Sequence, residues 1–186
     1  MLFLFEYGTK YFSLVLKPEY VCIIVGLDIN RAKIKYVIKI LENTRAETGK
    51  EIRSLFQVSY KIEASILKAD YFPPLNRPLK SFLTSENEFY GYIKSKELVA
   101  AVELKHSNHN CHIQSLVVHP NHFRLGIGTE LIKFVIQKEK TKTITVETGF
   151  DNLPACALYR SLNFIENGWY DTEFNIRKIK FILHRE

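Results

Sequence analysis

Cysteine is scarce in this sequence. Three thiols occur among 186 residues, Cys22, Cys111 and Cys156, an odd number with no pair at metal-ligand or redox spacing. A disulfide framework is therefore not expected, and a reducing cytoplasm is. No long block of like charge appears. Lys and Arg total 26 against 20 Asp and Glu, a net charge of +6. The excess is scattered, which suits an anionic ligand but excludes a dedicated nucleic-acid arm. An uninterrupted apolar span is also missing. The first stretch is apolar, but Glu6, Lys10, Lys17, Pro18 and Glu19 break it, whereas a membrane helix needs about 20 apolar residues. It has neither the basic start nor the small-residue cleavage site of a signal peptide. No membrane and no nucleic acid are expected as partners. What is present is globular in balance, with 46% hydrophobic and 25% charged residues. We read residues 1–30 as an extension that either adds edge strands or stays poorly ordered, and residues 31–186 as one domain.

Regular patterning begins near Lys33. Residues 35–41 alternate as a strand. Over residues 47–68 the positions Ile52, Leu55, Phe56, Ser59, Ile62 and Ile66 fall three and four apart, the face of an amphipathic helix. Pro73 and Pro74 close that region, and a short helix is expected over residues 79–84. A meander follows, with strands at 89–94 and 98–105 joined by a turn at Ser95-Lys96-Glu97, and a third strand at 111–118. A glycine-bearing loop then leads into a helix whose Ile127, Leu131, Phe134 and Val135 share one face. Residues 143–148 form a further strand. Asn152-Leu153-Pro154 opens a helix with Ala155, Leu158, Tyr159 and Leu162 on one face. Two closing strands are expected near 164–170 and 176–184. The order indicates a sheet covered by helices, with 111–148 as a parallel strand–helix–strand crossover.

The chemistry-bearing stretch is Leu116 to Glu130, LVVHPNHFRLGIGTE. A strand runs into a loop holding Gly126 and Gly128, and a helix starts. Free backbone N–H groups there, with the helix dipole, make an anion site, and Arg124 adds a positive charge. Thr129-Glu130 after the last glycine excludes a P-loop, and Phe123 where a first glycine belongs excludes a dinucleotide fingerprint. By itself the spacing is equally that of a tight strand-to-helix turn.

A second block alters the balance. VVHPNHFRLGIGTEL (117–131) and ETGFDNLPACALYRSLNF (147–164) together resemble the GNAT superfamily of N-acetyltransferases, over residues 33–183. The first is similar to the family's acyl-CoA pyrophosphate loop, Q/R-x-x-G-x-G/A. The second is similar to its N-x-P-A-x-x-L-Y-x-x-x-G-F helix. Phe123 stands where Gln or Arg is usual, and Asn163 replaces a glycine, a residue that also tolerates a left-handed helix end.

The resemblance implies an α/β fold: a central mixed, mostly antiparallel sheet with one splayed parallel strand pair, flanked by about four helices. It implies acetyl-CoA as co-substrate, in a cleft between strands 111–118 and 143–148. Leu116, Val117 and Val118 would lie along the cofactor arm, and the segment Arg124, Leu125, Gly126, Ile127, Gly128 and Thr129 would hold the pyrophosphate. Asn152 would bond the arm, and Tyr159 would sit near the sulfur as proton donor to the departing thiolate. An amine then attacks the thioester directly in a ternary complex, with an oxyanion donor near Leu116–Val118. An alkyl ammonium has a pKa of about 10.4, so a base must free the amine. His112 and Glu103 are the candidates, with Glu147 a further one. The lesser alternative for Asn152 is a helix cap alone, and for Tyr159 a core aromatic.

The acceptor, a small-molecule or peptide amine, is expected near Asp70, Tyr71 and Phe72, with Glu147 at the same site; a rigid proline turn explains residues 70–75 as well. Trp169 and Tyr170 are a further wall or simple packing. His106, His109, Cys111 and His112 invite a zinc reading, but Cys111 and His112 point to opposite faces of a strand, and no metal is expected. Cys156 reads as a buried thiol. A monomer or homodimer is expected. The rival to an enzyme is a non-catalytic acyl-CoA-binding or regulatory module on the same fold.

Overall fold

The computed structural model describes residues 36–185 in full and, before them, the backbone of residues 2–7, 10–15, 24–28 and 33–35. Among the described residues ten strands form one sheet in the order β1-β2-β3-β4-β5-β6-β7-β8-β10-β9. The strands are β1 (Leu2–Tyr7), β2 (Lys10–Val15), β3 (Ile24–Asp28), β4 (Lys33–Ile40), β5 (Glu88–Lys94), β6 (Glu97–His106), β7 (Asn110–Val118), β8 (Thr143–Gly149), β9 (Ile165–Asp171) and β10 (Arg177–His184). The helices are α1 (Ala46–Ile66), α2 (Leu79–Leu83), α3 (Ile127–Lys138) and α4 (Leu153–Ser161). The expected extension over residues 1–30 lies partly outside the described residues. Where its backbone is described, β1 to β3 pair antiparallel in succession onto β4.

Each element follows from local chemistry. The β5–β6 turn has Ser95 and Lys96 both at positive φ, 51° and 70°, the backbone that matches the twist of a two-residue hairpin. Asn163 ends α4 at φ 64°, as its tolerance of the left-handed region predicts. Helices cover both faces of the sheet. On one face Leu131, Phe134 and Val135 of α3 and Cys156 and Tyr159 of α4 pack with Val102, Ile113, Val146 and Phe181. On the other, Ile52 and Phe56 of α1 and Phe82 of α2 pack with Phe89, Ala101 and Val117. Phe56 and Phe82 meet edge to face, with centroids 5.1 Å apart at 87°, a geometry that adds to simple burial.

The amphipathic face expected on α1 divides in two. Ile52, Leu55 and Phe56 are buried, joined by Tyr60, whereas Ile62 and Ile66 are exposed. Ser59, Ile62 and Ile66 instead line a groove beside α3 and α4. The periodicity was that of a helix whose first half packs on the sheet and whose second half walls a cleft.

Candidate active site

One feature of the sheet makes the site. β7 and β8 are its parallel pair, and their pairing runs from Asn110↔Thr143 to Ile113↔Val146 and stops. β7 continues to Val118 and β8 to Gly149. The two strands therefore diverge at residues 114 and 147. β6 still pairs with β7 up to Ala100↔Val118, so only the edge that faced β8 is free. Register slips between Glu103 and Leu104 opposite Ser115 and Ile113, leaving Gln114 as an extra residue. Such a bulge bends the strand where the divergence begins.

Two hollows open there. One, of about 870 Å³, lies between α1, the loop before α3 and the start of α4. Its wall includes Leu116, Val118, Arg124, Gly126, Gly128 and Thr129. The other, of about 500 Å³, lies on the α1–α2 side and is walled by Tyr60, Phe72, Glu103, Glu147, Tyr159 and Lys178, among others. They share Glu63, Leu116, Asn152 and Ala155, so they adjoin at these residues.

One end of the groove is the N-terminus of α3. Gly126 caps α3 at φ 77°, in the left-handed region where a side chain is strained, with no side chain bonded to the cap. The first helical bond there runs from Glu130 N–H to the Gly126 carbonyl, at 3.0 Å. The N–H groups of Ile127, Gly128 and Thr129 precede it, left without intrahelical partners as at any helix start, with no capping side chain bonded there, an arrangement that suits an anion. Leu125, at 57% exposed, stands out from the loop rather than into the core.

Asn152 does two things at once. Its Oδ1 accepts from Ala155 N–H at 3.3 Å, capping α4, and its Nδ2 donates to Glu63 Oε1 at 3.2 Å. Glu63 is a residue that the sequence did not single out. It sits on α1 where both hollows meet. Burial pushes its carboxyl above the ordinary range, opposed by the Asn152 amide and the charge of Lys178. A raised native value means that ionising Glu63 costs stability. The cost is absent below the unfolded value, near 4.5, grows as pH rises through the native value, and is complete above it. Glu63→Gln keeps an acceptor for Asn152 and removes that cost. Its melting temperature should exceed the wild type's at neutral pH and converge with it in acid; thermal melts across pH check this, and equal melting at pH 8 would contradict it.

Tyr159 of α4 is 3% exposed. Its ring lies 5.6 Å from those of both Phe164 and Phe181. It walls the 500 Å³ hollow, and its hydroxyl makes no hydrogen bond among the described residues. Burial, with Glu63 and Tyr60 nearby, raises its pKa, so the phenol keeps its proton at neutral pH.

The three base candidates separate. Glu103 is completely buried and fully engaged. Arg77 donates to Oε2 at 2.6 Å and to Oε1 at 3.0 Å. Asn87 donates to Oε1 at 2.8 Å, and Ser115 to Oε2 at 3.2 Å. Tyr60 in turn donates to Ser115 Oγ at 2.9 Å. Two charge-assisted bonds to one guanidinium fix this carboxylate in place, and it walls the hollow. His112 bonds Thr145 Oγ1 through Nδ1 at 2.9 Å, beside the paired part of β7, and is not among the residues walling the 500 Å³ hollow. Burial lowers its pKa. Glu147 lies on the divergent end of β8 and walls the hollow. It accepts from the Tyr170 hydroxyl at 2.7 Å, so Tyr170 orients a site carboxylate rather than simply packing.

Of the expected acceptor residues, Phe72 is buried in the hollow's wall. Asp70 and Tyr71 are exposed and lie outside it. Tyr71 packs on Phe174, centroids 5.0 Å apart. Trp169 is 57% exposed with the Arg177 guanidinium 4.2 Å over its ring. Arg77, like Glu63, was missed: it stands 26 residues from its partner Glu103, and no local spacing signals such a pair.

Comparison with known proteins agrees with this geometry. Residues 50–164 match the model of the acetyltransferase (GNAT) family. The UPF0157 protein YqkA of Bacillus subtilis (strain 168) is 32% identical over 161 residues, covering 81% of this chain and 47% of its own. The chain thus spans about half the length of that curated relative. Among solved structures, the ribosomal-protein-S18-alanine N-acetyltransferase of Escherichia coli superposes with a TM-score of 0.63 at 21% identity, over 80% of this chain and 93% of its own. An N-acetyltransferase of Staphylococcus aureus Mu50 gives 0.63 at 16% identity, over 80% and 97%. A Bacillus anthracis chain solved in complex with acetyl coenzyme A gives 0.50 at 22% identity, over 54% and 64%. These structural likenesses establish the fold.

Proposed function

The chain belongs to the acetyltransferase (GNAT) family, and on that premise we propose that it transfers the acetyl group of acetyl-CoA to the amine of a small molecule or peptide by direct attack in a ternary complex. The observation that carries this reading is the divergence of β7 from β8 after Ile113↔Val146, with a groove on one side and a polar hollow on the other that share a floor. The thioester substrate would lie along the free edge of Leu116–Val118, with its pyrophosphate on the amides of Ile127 to Thr129 and Arg124 nearby. Its acyl end would reach the shared floor beside Asn152.

The acceptor would enter the hollow walled by Phe72, Glu103 and Glu147. Holding both reactants there supplies much of the barrier reduction. A backbone N–H on the free edge of β7 would receive the developing oxyanion. Tyr159 would give its proton to the departing sulfur as the C–S bond breaks, and the tyrosinate would regain one from the proton that the amine releases, since a thiol pKa near 8.5 lies below a phenol's. Glu147 is the base that we assign, because it walls the hollow with one hydrogen bond to Tyr170, while Glu103 is held by Arg77. His112 stands behind it along the sheet. Cys111 and Cys156 are buried free thiols, which suits a reducing cytoplasmic setting, and no helix among the described residues is long and apolar enough to cross a membrane.

The test is a thermal melt with acetyl-CoA, CoA and ATP at equal concentration. A ligand at about 100 times its Kd adds about 2.7 kcal/mol, a rise of roughly 5–10 °C at this size. Both CoA species should raise the melting temperature, and ATP should not. No rise with either would refute the assigned groove.

A further inference from the structure

We propose that His106, Cys111 and Glu139 bind a divalent transition-metal ion, zinc by donor type, at a site separate from the cleft. His106 and Cys111 face each other across β6 and β7. Glu139 caps the C-terminus of α3, and the helix delivers its carboxylate to that strand pair. One ligand atom from each lies within 4.8 Å of the others, and His106 Nε2 is 3.1 Å from Glu139 Oε2. Tetrahedral zinc with Zn–N, Zn–O and Zn–S bonds of ordinary length holds such donors about 3.4–3.6 Å apart. Side-chain adjustments of about 1 Å therefore close the site, with no change of backbone. A set of one imidazole, one thiolate and one carboxylate is of the borderline-soft kind that zinc prefers and that magnesium and calcium do not.

Burial and charge fit as well. Cys111 is completely buried and Glu139 is 4% exposed, so two donors are already desolvated. The His106 side chain is 35% exposed, which gives an entry path and leaves a fourth position for water. Lys138 Nζ lies 2.8 Å from Glu139 Oε1 and 3.1 Å from Glu88 Oε2. It holds one carboxylate oxygen and leaves the other toward His106. With the ion bound, the thiol proton goes to solvent. Two positive charges on zinc and one on Lys138 then balance the thiolate and the carboxylates of Glu139 and Glu88. Without an ion, Glu139 holds the same groups together by hydrogen bonds to His106 at 3.1 Å and to the Cys111 thiol, and by its ion pair with Lys138. The site lies six residues before Val117 on β7, about 20 Å along the strand. It would clamp the end of α3 to the β6–β7 hairpin. It stands independently of the acetyl-transfer reading.

The experiment is a cobalt titration of the full chain after dialysis against a chelator. A site with these ligands gives a thiolate-to-cobalt charge-transfer band in the near ultraviolet, saturating at one ion per chain and bleached by added zinc. Cys111→Ser should abolish the band. His106→Ala, at the half-exposed ligand, should weaken cobalt binding by more than about tenfold and carries the test if the cysteine variant does not fold. No charge-transfer band in the wild type would overturn the proposal and leave an ion pair only. So would a band that survives Cys111→Ser or a titration unchanged in His106→Ala.

Discussion

Tyr159→Phe should lower turnover by a hundredfold or more, the scale of a lost general acid, while leaving the protein's stability and its affinity for CoA almost unchanged. The geometry separates these effects. The hydroxyl makes no hydrogen bond among the described residues and borders the hollow, so its removal orphans no buried partner. The ring stays between Phe164 and Phe181, and the core keeps its packing. Only the proton is lost. Steady-state rates with saturating acetyl-CoA, set beside melts with and without CoA, read both quantities. Equal rates would remove Tyr159 from the chemistry, and a collapsed melting temperature would make it the core aromatic that its apolar neighbours also suggest.

Arg77→Met should be the most destabilising single change at the site. It strips the guanidinium from a carboxylate whose side chain is 0% exposed. Breaking a buried ion pair by removing one partner costs about 3–5 kcal/mol, because the other charge stays buried. For a chain of this size that is a fall of roughly 6–20 °C in melting temperature. Asn87 and Ser115 keep their bonds to Glu103, which favours the lower end. Adding Glu103→Gln to Arg77→Met should recover much of the loss, since it removes the stranded charge. Additive losses in the double variant would show that the pair is not coupled.

The fold was legible because its signals are local. Helical spacing in Ile127, Leu131, Phe134 and Val135 and alternation along β5 to β7 each involve a few neighbouring residues. The cleft was legible through two motifs, one at each wall. What stayed hidden depends on contacts between distant residues. Glu63 lies between Ile62 and Ser65 in a helical pattern that reads as packing, and only the approach of α4 brings Asn152 to it. Glu103 was a base candidate because it stands on the strand before the one that carries His112, and only the structure brings Arg77, on the loop before α2, into contact with it. The histidine and cysteine near the β6–β7 hairpin were visible as a cluster. His112 indeed turns from Cys111, but Glu139, sent in from the end of α3, lies beyond any spacing rule.

The central claim is that the two hollows together perform transfer, not merely binding. The most direct measurement is release of free CoA thiol from acetyl-CoA across a panel of primary amines, with acetylated product identified by mass. The account predicts thiol release that depends on the amine and forms one acetylated amine per thiol. Tight CoA binding with no amine-dependent release from any member of the panel would contradict it and make the chain an acyl-CoA-binding module.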